Sequence, residues 1–273
     1  MQNTVLSTSA VLLYFLAGVI LGWRLFVQHG NDSRNKLISK ASALLIGAAA
    51  TVFHGFVLYH GLITPEGINF GFYNAISLIA WFTAVLIVLA SLTNPVENLG
   101  VLFLPMAGVA ILLENAFPVK DNMVPAEAME LKLHILMSIL SYSLLMIAAV
   151  HALVLATQDR HLRNKRPGGF IRALPPLQTM ENLLFQMIGL GFFLLSLSLV
   201  TGMIYLDDMF AQHVAHKTIL SIVAWFVFAT LLWGRWRFGW RGTIAIRYTL
   251  GGFITLFLAY LGSKWVIEIL FHH

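Results

Sequence analysis

The sequence contains no cysteine and few charged residues. Among its 273 residues, none is Cys and 11% are Asp, Glu, Lys or Arg. The missing thiols exclude disulfides, cysteine nucleophiles, iron–sulfur clusters and zinc–thiolate sites. The chain also has no Walker loop, no G-x-S-x-G and no H-E-x-x-H motif. These absences argue against conventional hydrolases and kinases, and we expect no catalytic role.

The residues that are present are mostly apolar. Hydrophobic residues make up 59% of the chain, and the mean hydropathy is +0.81. An average soluble domain is about 45–50% apolar and about 25% charged. The composition therefore predicts an all-α, polytopic integral membrane bundle that forms a single domain over residues 1–273. Eight segments are long and apolar enough to span a bilayer: residues 5–27, 38–61, 71–93, 98–117, 131–156, 182–206, 216–234 and 244–270.

The basic residues predict the orientation of these segments. With eight spans, 13 of the 17 basic residues fall in three inter-helix regions on one side of the membrane. The positive-inside rule makes that side cytoplasmic and places both termini outside the cytoplasm. The net charge of +5 is then explained by the membrane topology. We therefore expect no nucleic-acid partner. The basic loop over residues 157–181 is a candidate docking surface for a membrane-protein partner.

Polar residues inside three segments recur at spacings of three and four, which places each set on one helical face. In the bilayer such residues face the bundle or a cavity. They could serve only in helix packing, or they could line a site. The three sets are Gly47, Thr51, His54, Leu58 and Gly61; His134, Ser138, Ser141, Tyr142 and Leu145; and Lys217, Ser221, Ala224 and Trp225.

Histidine is the strongest nitrogen ligand left in a chain without cysteine. A single membrane histidine is more often a hydrogen-bonded packing residue than a ligand. Several at one depth favour a haem held by two imidazoles within a helix bundle. These positions alone leave open which two would pair. Seven of the ten histidines lie on the predicted outer side: His54, His60, His134, His213, His216, His272 and His273.

Three stretches carry a resemblance to a known family. Residues 133–155 open with a histidine that is followed by a Ser-Tyr pair, residues 174–202 contain LPPLQTMENLLF, and residues 216–262 contain a Gly-Trp-Arg-Gly turn. These stretches resemble the CcsA/CcmC family of haem-handling cytochrome c assembly proteins. The match is closest to its short HemX-like and YpjD-like branch, and it covers the C-terminal half. The N-terminal half matches loosely through residues 69–81.

The resemblance implies a multi-pass protein of the bacterial inner membrane that binds haem b near the outer face. His134 and His272 match the two axial histidines of the family. His54 could match a further intramembrane histidine, and His60 and His216 are reserve ligands. Four further residues could line the site: Tyr142, Lys217, Trp81 and Trp225.

The chain departs from the family at the segment that precedes the seventh span. The family has a tryptophan-rich haem-binding segment there, whereas residues 207–218 read DDMFAQHVAHKT and keep only Lys217. This change puts haem delivery to apocytochrome c in question. His213 and His216 could be substitute ligands or polar loop residues.

Two alternatives to haem binding remain. The first is an accessory or regulatory membrane subunit without haem, as the HemX-like branch implies. The second is a small-molecule or ion transporter, for which Glu114 is the candidate intramembrane acid.

Overall fold

The computed structural model describes residues 2–27, 40–64, 67–118, 123–124, 129–164, 171, 173–205 and 215–262. Within them lie eight helices that are long and apolar enough to cross a membrane. The predicted all-α polytopic bundle is therefore confirmed, while the orientation of the termini stays a prediction. The helices are α1 (Gln2–Val27), α2 (Lys40–Leu62), α3 (Phe72–Thr93), α4 (Glu97–Ala116), α5 (Met129–Arg163), α6 (Leu177–Tyr205), α7 (Ala215–Phe238) and α8 (Thr243–Phe257).

The largest differences from the predicted boundaries lie around α5 and α6. Helix α5 continues to Arg163 and α6 begins at Leu177, so both ends of the predicted 157–181 loop are helical. Helix α6 begins directly after Pro175 and Pro176, because proline is favoured where helices start and its missing N–H costs nothing there. Helix α8 passes into a π-helical turn over Leu258–Gly262, and the rest of the predicted last span lies outside the described residues.

The chain forms two compact units. Unit 1 contains α1 to α4, and each helix packs against the preceding and the following one, with α4 closing back onto α1. Its core holds small residues such as Ala17, Ala43 and Ala107. A Cβ atom at Gly18 would lie 2.6 Å from the ring of Pro105, which shows how closely α1 approaches α4. Helix α4 therefore tolerates Pro105 where its ring packs closely against a neighbouring helix.

A small antiparallel sheet, absent from the sequence prediction, covers one end of unit 1. Strand β1 (Ile63–Thr64) follows α2, β2 (Gly67–Asn69) precedes α3, and β3 (Met123–Val124) follows α4. The strands pair in the order β1-β2-β3. We call this end of unit 1 the sheet end.

Unit 2 contains α5 to α8 and repeats the neighbour order of unit 1, since α8 closes back onto α5. The turn between α7 and α8 uses Gly239 and Gly242, both with positive φ. The buried carboxyl of Glu181 on α6 accepts the Gly242 N–H at 2.8 Å, which fixes this turn on the unit. Exposed Trp233 and Trp236 lie near the end of α7, as is typical of the membrane interface.

Candidate functional site

The imidazole of His134 is held by α6. His134 lies in the second turn of α5, where its Nδ1 is 2.9 Å from the backbone oxygen of Ser198 and 3.2 Å from Oγ1 of Thr201. A carbonyl oxygen only accepts, so Nδ1 carries the proton and donates it to Ser198. The other ring nitrogen, Nε2, is then a lone-pair acceptor, and no partner for it occurs among the described residues. The ring is only half-buried.

Serine hydroxyls fix the helix pair beneath this ring. The Ser138 hydroxyl donates to the backbone oxygen of His134 at 2.7 Å and lies 2.6 Å from the Ser198 hydroxyl. One turn further on, Ser141 donates to the backbone oxygen of Gly191 at 2.9 Å. Together these bonds tie α5 to α6 along the helical face, or stripe, of polar residues that the sequence predicted for α5. The ring itself is oriented by its own bonds to Ser198 and Thr201, and outer hydrogen bonds of this kind orient the histidine ligands of metal sites.

Tyr142 belongs to the predicted stripe but contacts other helices. Its ring lies 5.6 Å from that of Phe253 on α8 and 5.8 Å from that of Tyr260. Its buried hydroxyl has no hydrogen-bond partner among the described residues. Tyr142 also lies eight residues after His134, about 12 Å along the helix. The structure therefore places it on a different face and at a different depth from the His134 imidazole.

Lys217 and Trp225 are both half-buried on α7. Lys217 lies in the first turn of α7. Trp225 faces α6, since its indole N–H donates to the Ser196 hydroxyl at 2.8 Å and its ring lies 5.3 Å from that of Phe192. Trp225 thus packs α7 onto α6, and its indole nitrogen already has a hydrogen-bond partner.

His54 in unit 1 has both ring nitrogens engaged. Its Nδ1 lies 3.1 Å from the Tyr14 hydroxyl and its Nε2 lies 3.0 Å from the Ser77 hydroxyl. The side chain is fully buried. Trp81 is nearby on α3 and donates its indole N–H to the backbone oxygen of Thr51. An incoming ligand at His54 would have to displace one of the two hydroxyls.

The remaining predicted ligands are either exposed or outside what the structure describes. His60 is exposed at the end of α2, edge-on to Tyr59. His216 lies in the first turn of α7, and its side chain is not described. His272 and His213 lie outside the described residues. Within the described part of the chain, no three His, Asp or Glu side chains cluster as a metal site.

His151 offers an instructive contrast within α5. Its Nε2 donates to the backbone oxygen of Met180 at 2.9 Å, and its Nδ1 has no partner among the described residues. The ring is fully buried against α6. Of the two α5 histidines whose rings are held by the α6 backbone, His134 and His151, only His134 is partly exposed, so of these two only its free nitrogen can be reached from outside the packed helices.

Sequence reasoning missed the α6 residues that orient His134. Ser198 and Thr201 supply its partners, and Ser198 is buried. A signal was present, because Gly191, Leu195, Ser198 and Gly202 follow spacings of four and three and all are buried on one face of α6. The partner of a half-buried histidine can therefore be sought on such a stripe of another helix.

Comparison with known proteins gives a family match over most of the chain. The family model described as "Cytochrome C assembly protein" matches residues 42–271. The "Inner membrane protein YpjD" of Escherichia coli K12 is 33% identical over 266 residues, covering 96% of this chain and 97% of that protein. A 28.8 kDa Azospirillum brasilense protein from a nifR3-like 5' region is 30% identical and covers 98% of both chains.

More distant relatives carry a functional name. The "Cytochrome c biogenesis protein CcsA" of Microcystis aeruginosa is 23% identical over 242 residues, covering 70% of this chain and 74% of that protein. No solved structure gives a significant match to the chain. The predicted localisation, a multi-pass protein of the bacterial inner membrane, is confirmed by the YpjD match and the eight apolar helices. With the family model matching both units, this chain belongs to the cytochrome c assembly protein family.

Proposed function

We propose that this protein handles haem in the inner membrane and that His134 is one axial ligand of haem b. The observation that carries the proposal is the Nδ1–H bond from His134 to the Ser198 carbonyl. This bond fixes the neutral tautomer in which the lone pair of Nε2 is free. Nε2 is a common ligand atom of histidine in metalloproteins.

The residues present fit a haem better than a bare metal ion. The macrocycle brings four nitrogen ligands of its own, so the protein needs to add only one or two. A site with a single oriented imidazole, and without a cluster of three ligands in the described residues, meets that need. When bound, haem would supply one-electron chemistry or be carried as cargo, and the proposal assigns the chain no catalytic step.

The second axial ligand of the proposal is His272, which rests on the family resemblance. His216 and His60 are the reserves, while His54 is left out because both of its nitrogens already have partners. Lys217 and the Trp225 ring remain proposed lining residues of unit 2, and Tyr142 is left out because it lies on a different face of α5 from His134. Tyr142 lies near α8 and Trp225 is packed on α6.

Absorption spectroscopy tests the proposal. We expect the purified protein, after expression with a haem supply, to show a Soret band and a pyridine haemochrome spectrum of b type. His134→Gln should lose the haem or change its reduced-minus-oxidised spectrum. The matched control is His161→Gln, which alters an exposed histidine near the other end of α5 and should leave the spectrum unchanged.

Two results would contradict this proposal in different ways. A wild-type protein without a Soret band, even after incubation with hemin, would refute haem handling. Full haem content with an unchanged spectrum in His134→Gln would refute the ligand assignment alone.

A second candidate, an accessory subunit that docks a membrane partner, is favoured by the length of α5. Its 35 residues extend about 52 Å, whereas about 30 Å crosses the hydrocarbon core. The last turns beyond the core carry exposed Arg160, Leu162 and Arg163, a basic surface suited to an acidic partner. Charge reversal of both arginines to Glu should abolish co-purification of one specific membrane protein. Absence of such a protein from the wild-type preparation would exclude this candidate.

A further inference from the structure

Four polar side chains form a continuous chain through unit 1, and each helix of the unit contributes one. The Tyr14 hydroxyl of α1 lies 3.1 Å from Nδ1 of His54 on α2. Nε2 of His54 lies 3.0 Å from the Ser77 hydroxyl of α3. The Ser77 side chain also interacts with the side chain of Glu114 on α4. The result is one connected path from a carboxyl group to a phenol.

The path lies inside the unit. Tyr14, His54 and Ser77 are 0% exposed and Glu114 is 7% exposed, so only the carboxyl end is near the surface. Oxygen Oε2 of Glu114 is buried and has no hydrogen-bond partner among the described residues. A Cβ atom at Gly61 would lie 2.8 Å from the other oxygen, Oε1, so the glycine leaves room for this carboxyl group.

The four residues are ordered by depth. Glu114 lies two residues from the end of α4, Ser77 five residues from the start of α3, and His54 eight residues from the end of α2. At a rise of 1.5 Å per residue these positions are about 3, 8 and 12 Å from the sheet end. Tyr14 lies near the middle of α1, whose spanning part is Thr4–Leu25. The path therefore leads from the sheet end towards the middle of the unit.

Every inner member of the path can both donate and accept a hydrogen bond. In one arrangement Tyr14 donates to Nδ1 of His54, Nε2–H donates to Ser77, and Ser77 donates to the carboxylate. In the reverse arrangement the protonated carboxyl donates to Ser77, Ser77 donates to Nε2, and Nδ1–H donates to the Tyr14 oxygen. The two arrangements differ in the direction of every bond and by one proton, which resides on Glu114 in the second.

We propose that Glu114, Ser77 and His54 form a proton relay that takes up a proton at the sheet end and passes it to the buried imidazole, with Tyr14 holding its inner side. In the transfer step the Glu114 O–H bond breaks as a new Ser77 O–H bond forms. At the same time the original Ser77 O–H bond breaks and the Nε2–H bond forms. Glu114 becomes a carboxylate, Ser77 is unchanged, and His54 becomes an imidazolium whose Nδ1–H is held by Tyr14.

Other ionisable groups of unit 1 lie off the path. Among the described residues the remaining charged side chains are Arg24, Lys40 and Glu97, which all lie at the end opposite the sheet. On the helices that contribute the relay, His60 is exposed and faces Tyr59, and Tyr73 stacks on Phe117. Glu114 is thus the one described acid that can pass a proton to Ser77.

Hydrogen exchange at the His54 ring tests the relay. Full-length protein labelled with ¹⁵N-histidine is placed in lipid nanodiscs, and the His54 signals are identified as those missing in His54→Gln. On transfer to D₂O, we expect the fully buried imidazole N–H to exchange through the relay. Ser77→Ala and Glu114→Gln should each slow this exchange by about tenfold or more, which corresponds to about 1.4 kcal/mol or more in the barrier.

The controls separate a relay from a packing network. Ser77→Thr keeps the hydroxyl and should restore fast exchange, and Ser91→Ala removes another buried hydroxyl of α3 and should change nothing. Wild-type rates in both Ser77→Ala and Glu114→Gln would overturn the proposal. So would a wild-type ring that does not exchange, or equal slowing in Ser91→Ala. Haem content is not part of the readout, so the outcome is independent of the proposed ligand His134.

Discussion

The two units share a neighbour order, yet they hold their key histidines in different ways. In unit 1, two hydroxyls occupy both nitrogens of the fully buried His54. In unit 2, a backbone carbonyl occupies one nitrogen of the half-buried His134, with Thr201 beside it. The first arrangement suits proton transfer between side chains, and the second suits metal ligation. The chemistry available to a membrane histidine therefore depends on whether its second ring nitrogen already has a hydrogen-bond partner, and not on its position within a span.

The largest expected difference between the two histidines appears when each imidazole is replaced by leucine. In His54→Leu the buried Tyr14 hydroxyl is left without its partner and Ser77 loses one of its two partners, at a cost of roughly 1–3 kcal/mol in total. In His134→Leu we expect a loss of about 1 kcal/mol, the net value of one ordinary hydrogen bond. Reversible unfolding in mixed micelles measures both values. Haem content should follow the opposite order, with loss in His134→Leu and retention in His54→Leu.

Equal destabilisation by the two substitutions would show that the rings have similar structural roles. Loss of haem in His54→Leu, measured in protein that remains folded, would place His54 among the ligands.

The environments of His54 and His134 also show which features of such a protein can be predicted from its sequence. The eight spans follow from composition and length, because about 20 apolar residues are needed to cross the bilayer. The stripe of His134, Ser138 and Ser141 follows from helical spacing, and the structure shows all three facing α6.

The partners on other helices do not follow from spacing. Tyr14 is 40 residues from His54, and Ser198 is 64 residues from His134. Helical periodicity relates residues a few positions apart, whereas contacts between distant helices depend on how those helices pack. The short sheet was missed for a similar reason, since strands of two or three residues carry no periodic pattern.

Close packing inside unit 2 gives the next largest expected effect. A Cβ atom at Gly191 would lie 2.8 Å from Cγ and Cδ2 of Leu145, whereas one at Gly189, on the same helix, would meet nothing within 4 Å. Gly191→Ala forces α6 away from α5 and should cost about 1–3 kcal/mol. Gly189→Ala should be neutral, or should raise stability by up to about 1 kcal/mol because alanine favours helix.

The same micelle unfolding assay checks this pair, and the His134 spectrum gives a second readout. Displacing α6 also moves Ser198, so Gly191→Ala should weaken haem retention and Gly189→Ala should not. A stable Gly191→Ala protein with unchanged haem affinity would show that the α5–α6 contact is softer than the structure indicates.

The smallest expected effect is the loss of stability when the ion pair of each unit is removed. In unit 1, Nζ of Lys40 lies 3.2 Å from Glu97, linking the first turns of α2 and α4, with side chains 34% and 26% exposed. In unit 2, Arg163 and Asp159 pair within one helix, and the arginine is 69% exposed. Glu97→Gln should cost about 0.2–1 kcal/mol, and Asp159→Asn about 0.3–0.5 kcal/mol or less.

The difference between the two pairs should appear mainly at low salt. Glu97 joins two helices and also lies at the N-terminus of α4, where the helix dipole favours an acid. Asp159 has neither advantage, since it lies near the C-terminus of α5 and its partner is four residues away. Raising the salt concentration should bring the Glu97→Gln protein towards wild-type stability, because the pair is partly exposed and screened. A cost that is the same at low and high salt would mean that Glu97 stabilises unit 1 through packing at the α4 start, and not through its charge.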